Sequence, residues 1–158
     1  MSINVCNDRS MASITSLPSG VTGSSLVLIS EQTASSSATI DFTSDIDSTY
    51  KEYVFKFIDI HPATDGAHFL VNFRDGSSAY DATKTTTAYY AYHDESDSEA
   101  NVIYSTGSDL SQSTSGQRIA GSVGNDADQS TSGTLHLFDP SNTTFVKHFI
   151  ANVQNALG

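Results

Sequence analysis

The chain has 158 residues, and 7 Lys and Arg against 18 Asp and Glu give it a formal charge of −11. One domain with a real core is expected, because a folded chain of 16.8 kDa buries around two-thirds of its unfolded surface. Seven cations cannot form a broad basic face, which excludes unassisted binding to nucleic-acid phosphate or to an anionic membrane.

Residues 1–22 keep no hydrophobic period. Pro18, Gly20 and several Ser and Thr predict an extended N-terminal arm. Residues 23–158 are read as one domain. Cys6, the single cysteine, lies in the arm, so no internal disulfide framework is expected. The first nine residues are polar and lack the apolar stretch of a secretory signal. Leu26, Val27, Leu28 and Ile29 form the longest purely aliphatic run. It is too short to span a bilayer as a helix, so no membrane insertion is expected.

Ala38, Ile40 and Phe42 alternate with polar residues, the pattern of a half-buried strand. Residues 52–60 carry the strongest signal, with Tyr53, Phe55 and Phe57 on one side and Val54, Lys56, Ile58 and Ile60 on the other. His61, Pro62 and the Asp65-Gly66 pair end that strand. Phe69, Val71 and Phe73 predict the next, closed by Asp75-Gly76. Residues 87–93 read as a tyrosine-rich strand, 94–99 as an acidic loop and 101–104 as a short apolar run. Residues 105–116 read as a polar linker, and 118–123 alternate weakly. A polar loop over 125–133 precedes a strand over 134–138, ended by Asp139-Pro140. Residues 144–153 form the last strand, with Phe145, Lys147 and Phe149 on one face.

Eight or nine short strands without a sustained helical period predict an all-β fold, an antiparallel β-sandwich of jelly-roll-like type. The expected core holds Phe55, Phe57, Phe69, Phe73, Phe145 and Phe149. The chain stops soon after its last strand-like run, so the sandwich is expected to lack its final strand and to offer a sheet edge for pairing.

Three stretches carry a family resemblance: residues 31–42, residues 50–65 and residues 145–152. The second is the most specific, with Tyr50, Tyr53, Val54, Phe55 and Phe57 followed by Ile60, His61, Pro62, Ala63, Thr64 and Asp65. Over about residues 24–158 the chain resembles small virion structural proteins of tailed bacteriophages that infect marine bacteria and cyanobacteria. The resemblance implies a fibre-like or decoration subunit on the particle exterior, assembled in the host cytoplasm among other virion subunits. A homo-oligomer is expected, a trimer by analogy with fibres. The family supplies no catalytic residues to carry over.

Candidate chemistry is sparse. Residues 94–99 and Asn125, Asp126 and Asp128 offer carboxylates for Ca²⁺, but neither run has the spacing of a calcium loop. His61, His68, His93, His136 and His148 stand in no zinc-binding frame. Nucleophile-elbow and phosphate-loop motifs are absent. No catalytic, metal or cofactor residue is therefore assigned, and no enzyme activity is expected. Tyr89, Tyr90 and Tyr92 are the candidate surface-contact residues, because aromatic faces with hydroxyl tips suit glycan or protein binding. A carbohydrate-recognition module binding host-surface glycan is the alternative reading. It requires a shallow tyrosine-lined patch with Asn or Asp beside it.

Overall fold

The computed structural model describes residues 26–94 and 96–156. The chain divides into two units, Met1–Thr33 and Ala34–Gly158. The predicted arm over 1–22 lies outside the described residues. In the first unit, residues 26–33 form neither strand nor helix, and Leu26, Val27, Leu28 and Ile29 are all exposed.

All described strands belong to the second unit. They are β1 (Glu52–Ile60), β2 (Ala67–Val71), β3 (Lys84–Thr86), β4 (Tyr89–His93), β5 (Ala100–Tyr104), β6 (Leu110–Ser113), β7 (Gln117–Val123), β8 (Thr131–Phe138) and β9 (His148–Asn155). Among the described residues there is no helix, and every pairing is antiparallel. The all-β expectation holds.

The pairing is nested. β1 pairs with β8, β2 with β7, β3 with β6 and β4 with β5, while β9 adds to the far side of β8. The chain thus runs out along β1 to β4, reverses at the acidic loop after β4 and returns along β5 to β8. A double-stranded ribbon results, because each returning strand meets the outgoing strand of matching rank.

The three-stranded sheet β1-β8-β9 carries the core. Its register stacks three inward rows: Tyr53, Leu137 and Phe149; Phe55, Leu135 and Ala151; Phe57, Gly133 and Val153. Strand alternation sends these side chains to one face. Tyr53, Leu135 and Leu137 are buried, with Ile46, Val71 and Phe73 packed against them. Phe73 meets the Phe149 ring at 5.0 Å, and Phe69 meets Phe57 edge-on at 4.9 Å. The Tyr53 hydroxyl donates to the Asp47 carbonyl at 3.0 Å and accepts from the Asp47 amide at 2.9 Å, fastening the preceding loop. The opposite face carries Val54, His136 and Ile150 in one row and Glu52, Phe138 and His148 in the next.

Several expectations are corrected. Phe145 is not core; it is 71% exposed and precedes β9. The Asn142 carboxamide oxygen accepts from the amides of Thr144 and Phe145, at 2.7 and 2.9 Å, so a side-chain-capped turn takes the place of the predicted strand start. Residues 38–43 form no strand, since alternation records a face and not a ladder partner. Phe42 nevertheless packs edge-on against Phe55 at 5.6 Å. Residues 105–116 are not all linker, because β6 lies within them. In β1 the register shifts between Phe57 and Ile60, with Asp59 in the left-handed region at φ 50°. That bulge ends the simple alternation the sequence suggested.

Candidate functional site

The candidate surface is the β4–β5 hairpin. Five consecutive residue pairs set its register, from Tyr89 opposite Tyr104 to His93 opposite Ala100. Alternation divides the predicted tyrosines between two faces. Tyr90 and Tyr92 share one face with Ile103 and Asn101, and their rings lie 6.1 Å apart. Tyr89 stands on the other face with Ala91 and His93, beside Val102 and Tyr104 of β5. Tyr89 is 79% exposed, and Tyr90, Val102 and Tyr104 are also exposed. Tyr104 is thus part of the surface, although only the register reveals its place beside Tyr89.

The hairpin tip is built by one carboxylate. The Asp94 side chain accepts from the backbone amides of Ser98 and Glu99, each at 2.8 Å, and from the Ser96 hydroxyl at 2.6 Å. The Ser98 hydroxyl also donates to it. These donors, led by the Ser96 and Ser98 hydroxyls, hold the Asp94 carboxyl well below the usual carboxylate range. Asp97 adopts φ 55°, and its carboxylate lies 2.9 Å from His93 Nε2. Asp94 thus serves as the keystone of a turn. The second run is likewise a turn, with the Gln129 amide donating to the Asp126 carbonyl at 2.9 Å.

Electrostatics tune two of the tyrosines. Partial burial, reinforced by Glu99, raises the Tyr92 phenol above its ordinary range. Tyr104 is raised chiefly by its hydrogen bond to Asp109, at 2.8 Å. Both hydroxyls donate to carboxylates, Tyr92 to Glu99 at 3.5 Å and Tyr104 to Asp109.

An open hollow of about 540 Å³ lies on the hairpin, lined by Ala91, Tyr92, Ala100, Asn101 and Val102. Asn101 is directly opposite Tyr92, but its side-chain oxygen accepts from the Val102 amide at 2.8 Å. A second hollow of about 330 Å³ is lined by Asp59, His61, Asp128, Gln129 and Ser130 together with Ala127. There His61 Nδ1 lies 2.7 Å from the Gln129 carbonyl.

The remaining histidines stand apart. His68 contacts Arg118 and the Ser122 amide, and His136 Nδ1 lies 2.6 Å from Glu52. Among the described residues no three His, Cys, Asp or Glu side chains are grouped to hold a metal.

Comparison with protein-family models, curated proteins and solved structures gives no match.

One polar cluster escapes the sequence reading. Lys84 opens β3 and is only 6% exposed. Gln117 opens β7 and is 4% exposed. The Gln117 amide donates to the carbonyls of Ser108 and Arg118, both at 2.8 Å. A lysine within a threonine run is the only local sign of such a cluster, and it does not identify a partner.

Proposed function

We propose that the chain is a structural protein of a bacteriophage virion, mounted on the particle exterior as a head or tail fibre, knob or decoration subunit. The observation that carries this reading is the β4–β5 hairpin, which holds out tyrosines on two opposite faces. A two-stranded ribbon is marginal in water on its own, and exposed aromatic area suits contact with another surface. The resemblance of residues 31–42, 50–65 and 145–152 to phage virion proteins supplies the particle.

A jelly-roll-like sandwich is the finer fold we infer. Its support is the nested pairing of eight strands, which is how a jelly roll pairs when its double ribbon curls into two layers. Assembly with other virion subunits, and a homo-oligomer of the fibre type, follow from the same reading. Exposed Ile58, Val146 and Ile150 add apolar area to bury in that assembly.

The test is mass spectrometry of purified particles. The chain is expected at fixed stoichiometry to the major structural proteins, and its absence from intact virions overturns the reading. A second reading is host-glycan recognition, favoured by Tyr92 and Asn101 side by side at a hollow. Binding of the purified chain to host lipopolysaccharide, abolished by Tyr92→Ala, supports it. Undiminished particle incorporation without any host-surface binding leaves the architectural role alone.

A further inference from the structure

Lys84 is buried, and among the described residues no carboxylate forms an ion pair with it. Among the described residues the ion pairs are Lys51 with Asp139, His93 with Asp97 and His136 with Glu52, and none includes Lys84. Its Nζ instead lies 2.5 Å from the Asn72 side-chain oxygen and 2.7 Å from the Ala82 carbonyl. Both acceptors are neutral. A buried ammonium with only neutral partners is costly, and losing its proton or its charge relieves the cost. Burial in fact pushes the Lys84 amine below the usual lysine range, against the opposing fields of Asp75 and Asp81.

The Asn72 carboxamide is held from every side. Its nitrogen donates to the Tyr80 carbonyl at 2.5 Å and to the Thr114 carbonyl at 3.2 Å. Its oxygen also accepts from the Phe73 amide at 3.0 Å. The carboxamide therefore cannot turn away from Lys84, and a backbone N–H already points at the oxygen on which charge would develop. Proximity of this kind replaces a bimolecular encounter with a positioned one, and the N–H is a preorganised donor.

We propose that Lys84 and Asn72 join as an intramolecular isopeptide bond. The neutral amine attacks Asn72 Cγ, and the Nζ–Cγ bond forms. The Phe73 amide steadies the oxygen of the tetrahedral intermediate. The Cγ–Nδ2 bond then breaks with its electron pair on nitrogen. A proton surrendered by Nζ passes to that nitrogen, and ammonia departs. Nothing is oxidised or reduced, and no co-reactant is consumed. The product replaces a buried charge with an amide and clips the segment after β2 to the start of β3.

The test is the intact mass of the purified full chain. The expected mass is one ammonia below the sequence value. Trypsin should no longer cut after Lys84, and fragmentation should find the Asn72 and Lys84 peptides joined. Lys84→Met should restore the full mass, and Asn72→Asp should lose water in place of ammonia. A wild-type chain at its full sequence mass overturns the proposal. So does an ammonia deficit that persists in Lys84→Met, which would mark a cyclised asparagine elsewhere. Because peptide sequencing of the wild-type chain decides the matter, a variant that fails to fold leaves the result intact.

Discussion

Thr131 is fully buried at the start of β8, yet among the described residues its Oγ1 has no hydrogen-bond partner. A hydroxyl taken from water without compensation costs free energy, and an apolar isostere removes the cost while keeping the shape. Thr131→Val is therefore expected to raise stability by about 1 kcal/mol, read as a higher urea midpoint at unchanged slope. A lower midpoint would mean that the hydroxyl finds a partner. Asp94 presents the opposite case, a carboxylate with four donors. Its folded pKa lies below the ordinary 3.8, so its contribution is complete above that value and is lost as pH falls through the folded pKa. The amides of Ser98 and Glu99 are accordingly expected to stay protected from exchange at pH 3.8 and to lose protection only in stronger acid. Asp94→Ala should deprotect both at every pH, and equal exchange in variant and wild type would refute the keystone role.

At the scale of elements, Gly133 shows what the central strand demands. A Cβ there would lie 2.4 Å from the Asn152 carbonyl oxygen and 2.7 Å from Val153 Cα, both backbone atoms of β9. Backbone cannot swing aside as a side-chain end can, so Gly133→Ala must push β9 off β8. The expected loss is about 1–3 kcal/mol, with exchange rising along β9 more than along β1. Such a glycine is invisible in the sequence, where residues 125–133 read as a polar loop although β8 already begins at Thr131. The neighbouring rows were legible, because Tyr53, Phe55 and Phe57 repeat an aromatic every second residue. β3 and β6 were not, for a different reason. Their pairing is stitched by hydroxyls as well as by backbone: the Leu110 amide donates to Thr86 Oγ1 at 3.0 Å and the Gln112 amide to Thr85 Oγ1 at 3.1 Å. Polar strands held in this way carry no hydrophobic alternation, and alternation is the main signal that marks a strand. The contact of Asn72 with Lys84 was hidden for a third reason, since it depends on how the 72–84 segment folds and not on any spacing.

For the molecule as a whole, the nested ribbon settles which tyrosines can act together. Tyr89, Tyr90 and Tyr92 were legible as one strand, and Tyr90 with Tyr92 as one face. Their β5 neighbours depend on the turn at residues 94–99, which the acidic composition described without fixing the pairing. Once Tyr104 is opposite Tyr89 and Asn101 opposite Tyr92, the hairpin has two separate aromatic faces, and on the proposed contact role one flat partner surface would lie against only one of them. Particle assembly and host contact would then respond to different pairs of substitutions. Tyr89→Ser with Tyr104→Ser removes one aromatic face, and Tyr90→Ser with Tyr92→Ser removes the other. Because Tyr89 is 79% exposed, its own substitution should alter folding stability by no more than about 0.5 kcal/mol. The two double variants are expected to separate: one should lower incorporation into particles, while the other should enter particles normally and reduce adsorption to host cells. Particle counts by quantitative mass spectrometry and adsorption by residual free phage provide the two readouts. If both doubles match wild type in both measurements, the hairpin is not the contact surface. If both fail in the same measurement to the same degree, the hairpin is clasped on both sides by one partner, and the division into two working faces is wrong.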